Sequence, residues 1–394
     1  MRTIGVVTGS RAEYGILRPL LRAIEQSGTL RLSVLVTGMH LSPEFGLTLR
    51  EIEADGFPID ERVEMLSPSD EPEAIAQSMG RGAMGFGEVF ARRRPDMLVA
   101  LGDRFEIHAA VLAALPFLIP VAHIHGGEST EGAFDNALRH SMTMLSHLHF
   151  VSTEAYGQRV IRMGEEPWRV TVSGALGLDN LHGMTFMTRT ELEEKVGLAL
   201  EPAPLIVTFH PATLEYEQVD DQAQELLAAL EQVERPIVFT MPNADTGGRR
   251  IRSRILDFVK NHPDTRAVES LGTQAYFSLM RIAGVMVGNS SSGIIEAMSF
   301  GLPVVNVGTR QAGRLRPDNV LDVACQRDEI LSALRCALRP EMKAGLVGRP
   351  NPYGDGSAAR RILTKLETVS LDDRLLRKRF GDPVPTSRGS SHGS

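Results

Sequence analysis

Two doubly wound α/β halves, each an open parallel sheet with helices on its faces, are what this sequence predicts, and three observations carry that expectation. Short apolar runs bounded by glycine and polar residues alternate with helix-periodic stretches along most of the chain. The alternation runs as one series, breaks near residue 185 and then starts again. At 394 residues the chain also exceeds the roughly 250–300 residues at which a single core stops growing. Strand-helix alternation of this kind means parallel sheets with right-handed crossovers.

Residues 3–8 read as a buried strand, and Leu17, Leu20, Leu21 and Ile24 then recur at helical spacing, so the chain opens with a β-turn-α unit. Further strands are predicted over 32–37, 97–101, 121–124, 149–152 and 170–173, with helices near 45–54, 73–92, 105–115, 134–146 and 154–163. The second series places strands near 205–209, 237–241, 265–269, 285–288 and 304–307, with helices between them. The expected division is therefore 1–185, an amino-terminal half; 186–356, a second half; 357–380, a helix that crosses back toward the first sheet; and 381–394, a small, polar, flexible tail.

Composition excludes several functions. Against 42 Lys and Arg stand 49 Asp and Glu, a net charge of -7, so no overall basic field exists for duplex nucleic acid or an anionic membrane. An anionic ligand must then be held by a few placed donors. The apolar run before Gly9 is too short for a secretory h-region. The longest apolar stretch, 107–124, is broken by Pro116, Pro120, His108 and His123, and reads as a core helix and buried strand rather than a membrane span. Cys325 and Cys336 show no metal or redox spacing and are expected as buried thiols in a reducing compartment. A cytoplasmic protein without nucleic-acid or membrane partners is expected.

In an open parallel sheet, ligands bind outside the carboxyl ends of the strands. Asp103 and Arg104 follow the 97–101 strand, while His125 and Glu128 follow the 121–124 strand, with Asp135 shortly after, so acids, a histidine and an arginine converge on one crevice. Gly9 to Gly15, which contains Arg11 and Glu13, lies between the first strand and first helix, where free N–H groups and the helix dipole suit an anion or, equally, a simple capping turn. Gly288-Asn289-Ser290-Ser291-Ser292-Gly293 opens a helix with three hydroxyls, more than a cap requires, which favours phosphate binding. Glu296, one turn on, is placed for ribose hydroxyls, or is a solvent-facing helix charge. His210 and His40 each follow a strand and are either ligand-facing or ordinary loop histidines; Arg310 and Arg314 add cations for a diphosphate. Metal is the rival use of His123, His125, Glu128 and Asp135, but His-x-His without a third ligand of known geometry is a weak zinc signal, and no metal or cofactor is expected.

Taken together, the segments 8–15, 36–41, 101–106, 123–128, 135 with 139–141, 174–179, 209–211, 288–293 and 308–311 resemble those of the hydrolysing UDP-N-acetylglucosamine 2-epimerases of bacterial sialic-acid and legionaminic-acid synthesis. The resemblance implies two Rossmann-like doubly wound domains in a glycosyltransferase-B arrangement, a nucleotide-sugar substrate with UDP as product, and a homodimer or homotetramer. It implies departure of UDP from C1, loss of the C2 proton to give a glycal, and water addition at C1 with reprotonation of C2 from the other face, with neither metal nor nicotinamide.

Asp103 and Asp135 match acids held to be catalytic, and His210 the histidine near the diphosphate. Arg11, Ser290, Ser291, Glu296 and Arg314 match nucleotide contacts. Where animal and non-hydrolysing relatives carry a glutamate two residues after the first histidine, this chain has His125, so the proton-transfer role on that face falls to His125, Glu128 or both. The catalytic candidates are thus Asp103, His125, Glu128, Asp135 and His210, with Glu13, His40 and Arg104 added to the binding set. A glycosyltransferase and a nucleotide-sugar sensor of the same fold are the competing readings. UDP versus GDP, and N-acetylglucosamine versus its 6-deoxy-4-acetamido relative, stay open.

Overall fold

The structure is a computed structural model that describes residues 1–243, 245–269, 271–379 and 381. The tail expected over 381–394 lies, apart from Gly381, outside the described residues. Seven parallel strands form the first sheet: β1 (Arg2–Thr8), β2 (Leu30–Thr37), β3 (Ile59–Val63), β4 (Met97–Leu101), β5 (Val121–Ile124), β6 (Leu148–Val151) and β7 (Val170–Val172), in the order β3-β2-β1-β4-β5-β6-β7. Six parallel strands form the second: β8 (Leu205–Thr208), β9 (Ile237–Thr240), β10 (Thr265–Val268), β11 (Val285–Gly288), β12 (Val304–Val307) and β13 (Val320–Val323), ordered β10-β9-β8-β11-β12-β13. The strand order reverses between β1 and β4 and between β8 and β11, which opens a crevice at each switch point.

Both sheets are buried on two faces, hence their near-continuous apolar strands. On one face of the first sheet Ile4, Val6, Val34 and Val99 pack against Leu17, Leu20, Leu21 and Ile24 of helix Arg11–Gln26. On the other, Val7, Leu35 and Leu98 meet Phe86 and Phe90 of helix Pro72–Arg92 and Ile107 of helix Phe105–Ala114. Each such side chain contributes about 1.5–3 kcal/mol when fully buried.

Helix Ala358–Thr368 adds Ile362 and Leu366 to the first sheet's core, and its first turn is capped by Asp179, which accepts from the Ala358 and Ala359 N–H groups at 2.9 and 2.7 Å. Strands β3 and β13 fall outside the sequence expectation. Each is a half-buried edge strand carrying charges, Asp60, Glu61 and Arg62 in one and Asp322 in the other, which suits a strand paired on one side only. The cysteines are free and partly buried. Among the described residues no helix is long and apolar enough to cross a membrane.

Candidate active site

Loops that follow the carboxyl ends of the two sheets meet one another. The Arg104 guanidinium, after β4, reaches Asp245, after β9, at 3.0 Å, and the Glu131 N–H donates to the Ala312 carbonyl at 3.1 Å. Between them opens a cavity of about 500 Å³ whose lining includes Arg11, His210, Ser290, Ser291, Glu296 and Arg310.

Local sequence explains the wall built from β8 and β11. Gly288 has φ +119°, and a Cβ there would lie 2.0 Å from the Thr208 carbonyl oxygen, so only glycine lets the two strand ends touch. Asn289 then joins them: its Oδ1 accepts from the His210 N–H at 2.7 Å and its Nδ2 donates to the His210 carbonyl at 2.8 Å. Ser290 caps the short helix Ser291–Ile295, accepting from the Ser292 N–H. One serine of the three is thus the cap, and the others are left beside the cavity.

His210 Nδ1 accepts from the Asn243 N–H at 3.4 Å, so the ring proton falls on Nε2. Burial, and then Arg310, push the His210 pKa down to about 3, leaving a neutral donor. Glu296 is buried with Oε2 unpartnered, and burial raises its pKa to about 7 against the Ser292 hydrogen bond. From the first half, Arg11 crosses to donate to the Glu269 carbonyl at 2.6 Å.

Acids gather beside this wall. Asp103 is held by the Arg139 guanidinium and by the Thr130 hydroxyl at 3.4 Å. Asp135 opens helix Asp135–Leu145; withdrawal from water, then the charges of Asp103 and Asp245, raise its pKa to about 8. Burial would likewise raise Asp245, but Arg104, Arg310 and His210 hold it below the usual carboxylate range. Arg310 faces all three acids and also donates to the Asn289 carbonyl at 3.0 Å.

Glu128 sits one layer deeper and is wholly buried. Its Oε1 takes His125 Nδ1 and the Ser152 hydroxyl, each at 2.8 Å, while its Oε2 lies 3.1 Å from Arg314. Burial works against ionisation there, yet Arg314, His125 and Arg139 hold the Glu128 pKa well below the usual range. His125 has φ 66°, a left-handed backbone unusual for a residue with a Cβ, and its Nε2 accepts from the Leu176 N–H at 3.4 Å.

Three expected binding residues are occupied elsewhere. His40 is a core residue, 0% exposed, its ring nitrogens 2.9 Å from the Thr8 and 2.8 Å from the Thr48 hydroxyls. Burial lowers its pKa to about 3, and the polar partners that satisfy it leave no face for a ligand. Glu13 turns back onto its own strand-helix turn, accepting from the Gly9 N–H at 3.0 Å, with burial raising its pKa to about 8. Arg104 is spent on Glu106 and Asp245, both at 3.0 Å.

Conversely, sequence reasoning does not single out Asp245, and Arg139 enters it only within the segment 139–141 that carries the resemblance, without a role. Asp245 carries the same signal as Asp103, an acid shortly after a strand; Arg139 lies inside a helix, where a buried partner has no local mark. Among the described residues no group of three or more His, Cys, Asp or Glu side chains is placed to hold a metal ion.

The family model for UDP-N-acetylglucosamine 2-epimerase matches residues 22–367. The chain belongs to that family. Within it, the sequence is 40% identical over 379 residues to the UDP-N,N'-diacetylbacillosamine 2-epimerase (hydrolyzing) of Legionella pneumophila, covering 96% of this chain and 99% of that protein. It is 38% identical to the GDP/UDP-N,N'-diacetylbacillosamine 2-epimerase (hydrolyzing) of Campylobacter jejuni, covering 97% and 99%. The fold of this epimerase-family chain is that of the crystal structure of Neisseria meningitidis UDP-GlcNAc 2-epimerase bound to UDP-GlcNAc, with a TM-score of 0.78 at 20% identity over 93% of this chain and 99% of the other.

Proposed function

We propose that this protein is a hydrolysing 2-epimerase of a UDP-activated 2-acetamido sugar, which releases UDP and the free manno-configured sugar. The observation that carries the reading is that Arg310, which lines the cavity with His210 and the Ser290 helix start, also faces Asp103 and Asp135, so the acids stand just behind that wall. Carboxylates beside a bound diphosphate repel it, so a site for binding alone would not keep them there. A reaction that develops positive charge at C1 as the diphosphate leaves does require them.

In this reading Glu296 takes the ribose hydroxyls, while Arg11, Ser290 and Ser291 hold the diphosphate. The His210 Nε2–H and Arg310 stabilise charge on the departing oxygen. The C1–O bond breaks, its electron pair leaving with UDP, and the C2 proton passes to a carboxylate to give the glycal. Water then adds its hydroxyl at C1, its remaining proton passing to solvent, while a carboxyl delivers a proton to C2 from the opposite face. Asp135, whose carboxyl keeps its proton near neutral pH, suits the donor, and Asp103 on Arg139 the acceptor.

The names of the Legionella and Campylobacter relatives favour the 2,4-diacetamido-6-deoxy sugar over UDP-N-acetylglucosamine as first substrate. We place the enzyme in the cytoplasm, in nonulosonic-acid synthesis of the sialic or legionaminic type, as a homodimer or homotetramer. The test is turnover of each UDP sugar and its GDP analogue in D2O, followed by NMR. The manno product with deuterium at C2 and free nucleoside diphosphate is expected; protium retained at C2 excludes the elimination route, and transfer to an acceptor without epimerisation indicates a glycosyltransferase.

A further inference from the structure

Arg314 matches a nucleotide contact of the family, yet it does not line the cavity; its Nη2 lies 3.1 Å from Glu128. The two residues come from opposite halves, Glu128 from the loop after β5 and Arg314 from the loop after β12. What fixes that second loop is a pair of buried tyrosines. The Tyr353 hydroxyl donates to the Leu315 carbonyl at 2.9 Å, and the Leu315 N–H donates to the Tyr156 hydroxyl at 2.8 Å. The two hydroxyls are 3.0 Å apart. With the Tyr353 proton committed to Leu315, the Tyr156 hydroxyl donates to Tyr353, so every proton and acceptor of this ring is satisfied.

Tyr156 and Tyr353 are 2% and 0% exposed and lie on helix Glu154–Arg162 of the first half and on the segment leading to helix Ala358–Thr368. The loop is equally tight on its other side. Gly313 has φ +80°, and a Cβ there would come within 2.4 Å of Glu131 and 2.6 Å of the Ser129 hydroxyl.

Resting on the function proposed above, we infer that Tyr156 and Tyr353 are positioning residues of the reaction: by clasping Leu315 they seat Arg314 on Glu128, and thereby orient His125. Glu128 is faced by His125, Arg139, Arg314, Ser152, Tyr353 and Glu296. Of these groups, Arg314, Glu296 and Tyr353 come from the second half; Arg314 is the cation among them, and Glu296 repels Glu128. The charge balance at Glu128 is therefore completed across the junction between the halves. Arg314 in this account acts through Glu128, whereas a diphosphate ligand would act on UDP.

The two roles separate in Tyr353→Phe and Tyr156→Phe, each removing one hydroxyl without a change of ring volume. Using the full chain, kcat and KM are measured on the sugar that the wild type turns over, and UDP affinity is measured by calorimetry. Both variants are expected to lose about tenfold in kcat, the order of one misplaced charge-assisted contact, with KM and UDP affinity within about twofold of wild type.

Because the clasp and Arg314 act in series, the Tyr353→Phe/Arg314→Lys double variant should be no slower than the slower single variant. Multiplying effects, unchanged kcat in both phenylalanine variants, or a loss of UDP affinity that matches the loss of rate would overturn the inference. Wild-type protein that turns over no nucleotide sugar would overturn the functional reading and this inference with it. Active wild type with unaffected variants overturns this inference alone.

Discussion

Arg104 and Asp245 form an ion pair of 3.0 Å that joins the loop after β4 to the loop after β9, and the two side chains are only 9% and 7% exposed. Glu106, fully buried, takes the other edge of the same guanidinium at 3.0 Å. Truncating one partner of a buried pair leaves an uncompensated charge and costs about 3–5 kcal/mol. Arg104→Met strands two carboxylates and should reach that range in urea denaturation. Asp245→Asn leaves Arg104 on Glu106 and should cost less. Equal, small losses in both variants would mean that the halves do not rely on this contact.

Asp135 provides a test of the acid cluster by pH. Its folded pKa is raised to about 8, by withdrawal from water and then by Asp103 and Asp245, against an unfolded value of about 3.9. The native state therefore binds the proton more tightly. That contribution to stability is fully present below the unfolded value and is lost as pH rises through the folded one. Asp135→Asn cannot titrate, so it should gain stability relative to wild type between about pH 4 and pH 8, read as melting temperature against pH. Its kcat should fall roughly 10²–10⁴-fold, the span for a general acid or base. A parallel pH dependence of stability in both proteins contradicts the raised pKa.

Much of this arrangement is legible in the amino-acid sequence itself. The central strands are short apolar runs between turn signals, and residues such as Asp103, His210 and Ser290 announce themselves because they stand immediately past such runs. The edge strands β3 and β13 escape that reading because Asp60, Glu61, Arg62 and Asp322 interrupt the apolar pattern at positions that need only one buried face. His40 and Arg104 show a different limit. A histidine bridging Thr8 and Thr48, or an arginine spent on a carboxylate, has the same local sequence as one that awaits a ligand. The partner that decides comes from another element, and for Asp245 from the other half of the molecule.

His210 should act on the leaving diphosphate as a neutral donor. Its pKa of about 3, lowered by burial and then by Arg310, means that no imidazolium charge is available at pH 7. A hydrogen bond to a charged group is worth about 1.5–3 kcal/mol, so His210→Ala should weaken UDP binding by roughly tenfold to a hundredfold. The loss should be nearly constant from pH 5 to pH 8, because the ring does not titrate in that window. Calorimetry at both ends checks this; affinity that rises toward pH 5 in wild type and not in the variant would mean that a protonated ring binds the phosphate.

The last test separates what His125 does as a side chain from what its backbone costs. Its Nε2 accepts from the Leu176 N–H, so Nδ1 carries the proton and donates to Glu128, whose other oxygen lies against Arg314. Glu128 is wholly buried and held ionised, so it serves by orienting the imidazole. Both His125→Ala and His125→Gly should therefore lose about 10²–10³-fold in kcat, and Glu128→Gln should lose less while keeping UDP affinity. The backbone, however, sits at φ 66°, where a residue with a Cβ is strained by about 1–3 kcal/mol and glycine is not. His125→Gly should consequently melt higher than His125→Ala although the two are equally slow. Equal melting temperatures would show that the left-handed turn carries no strain, and near wild-type rates in both would leave Asp103 and Asp135 to share the proton transfers between them.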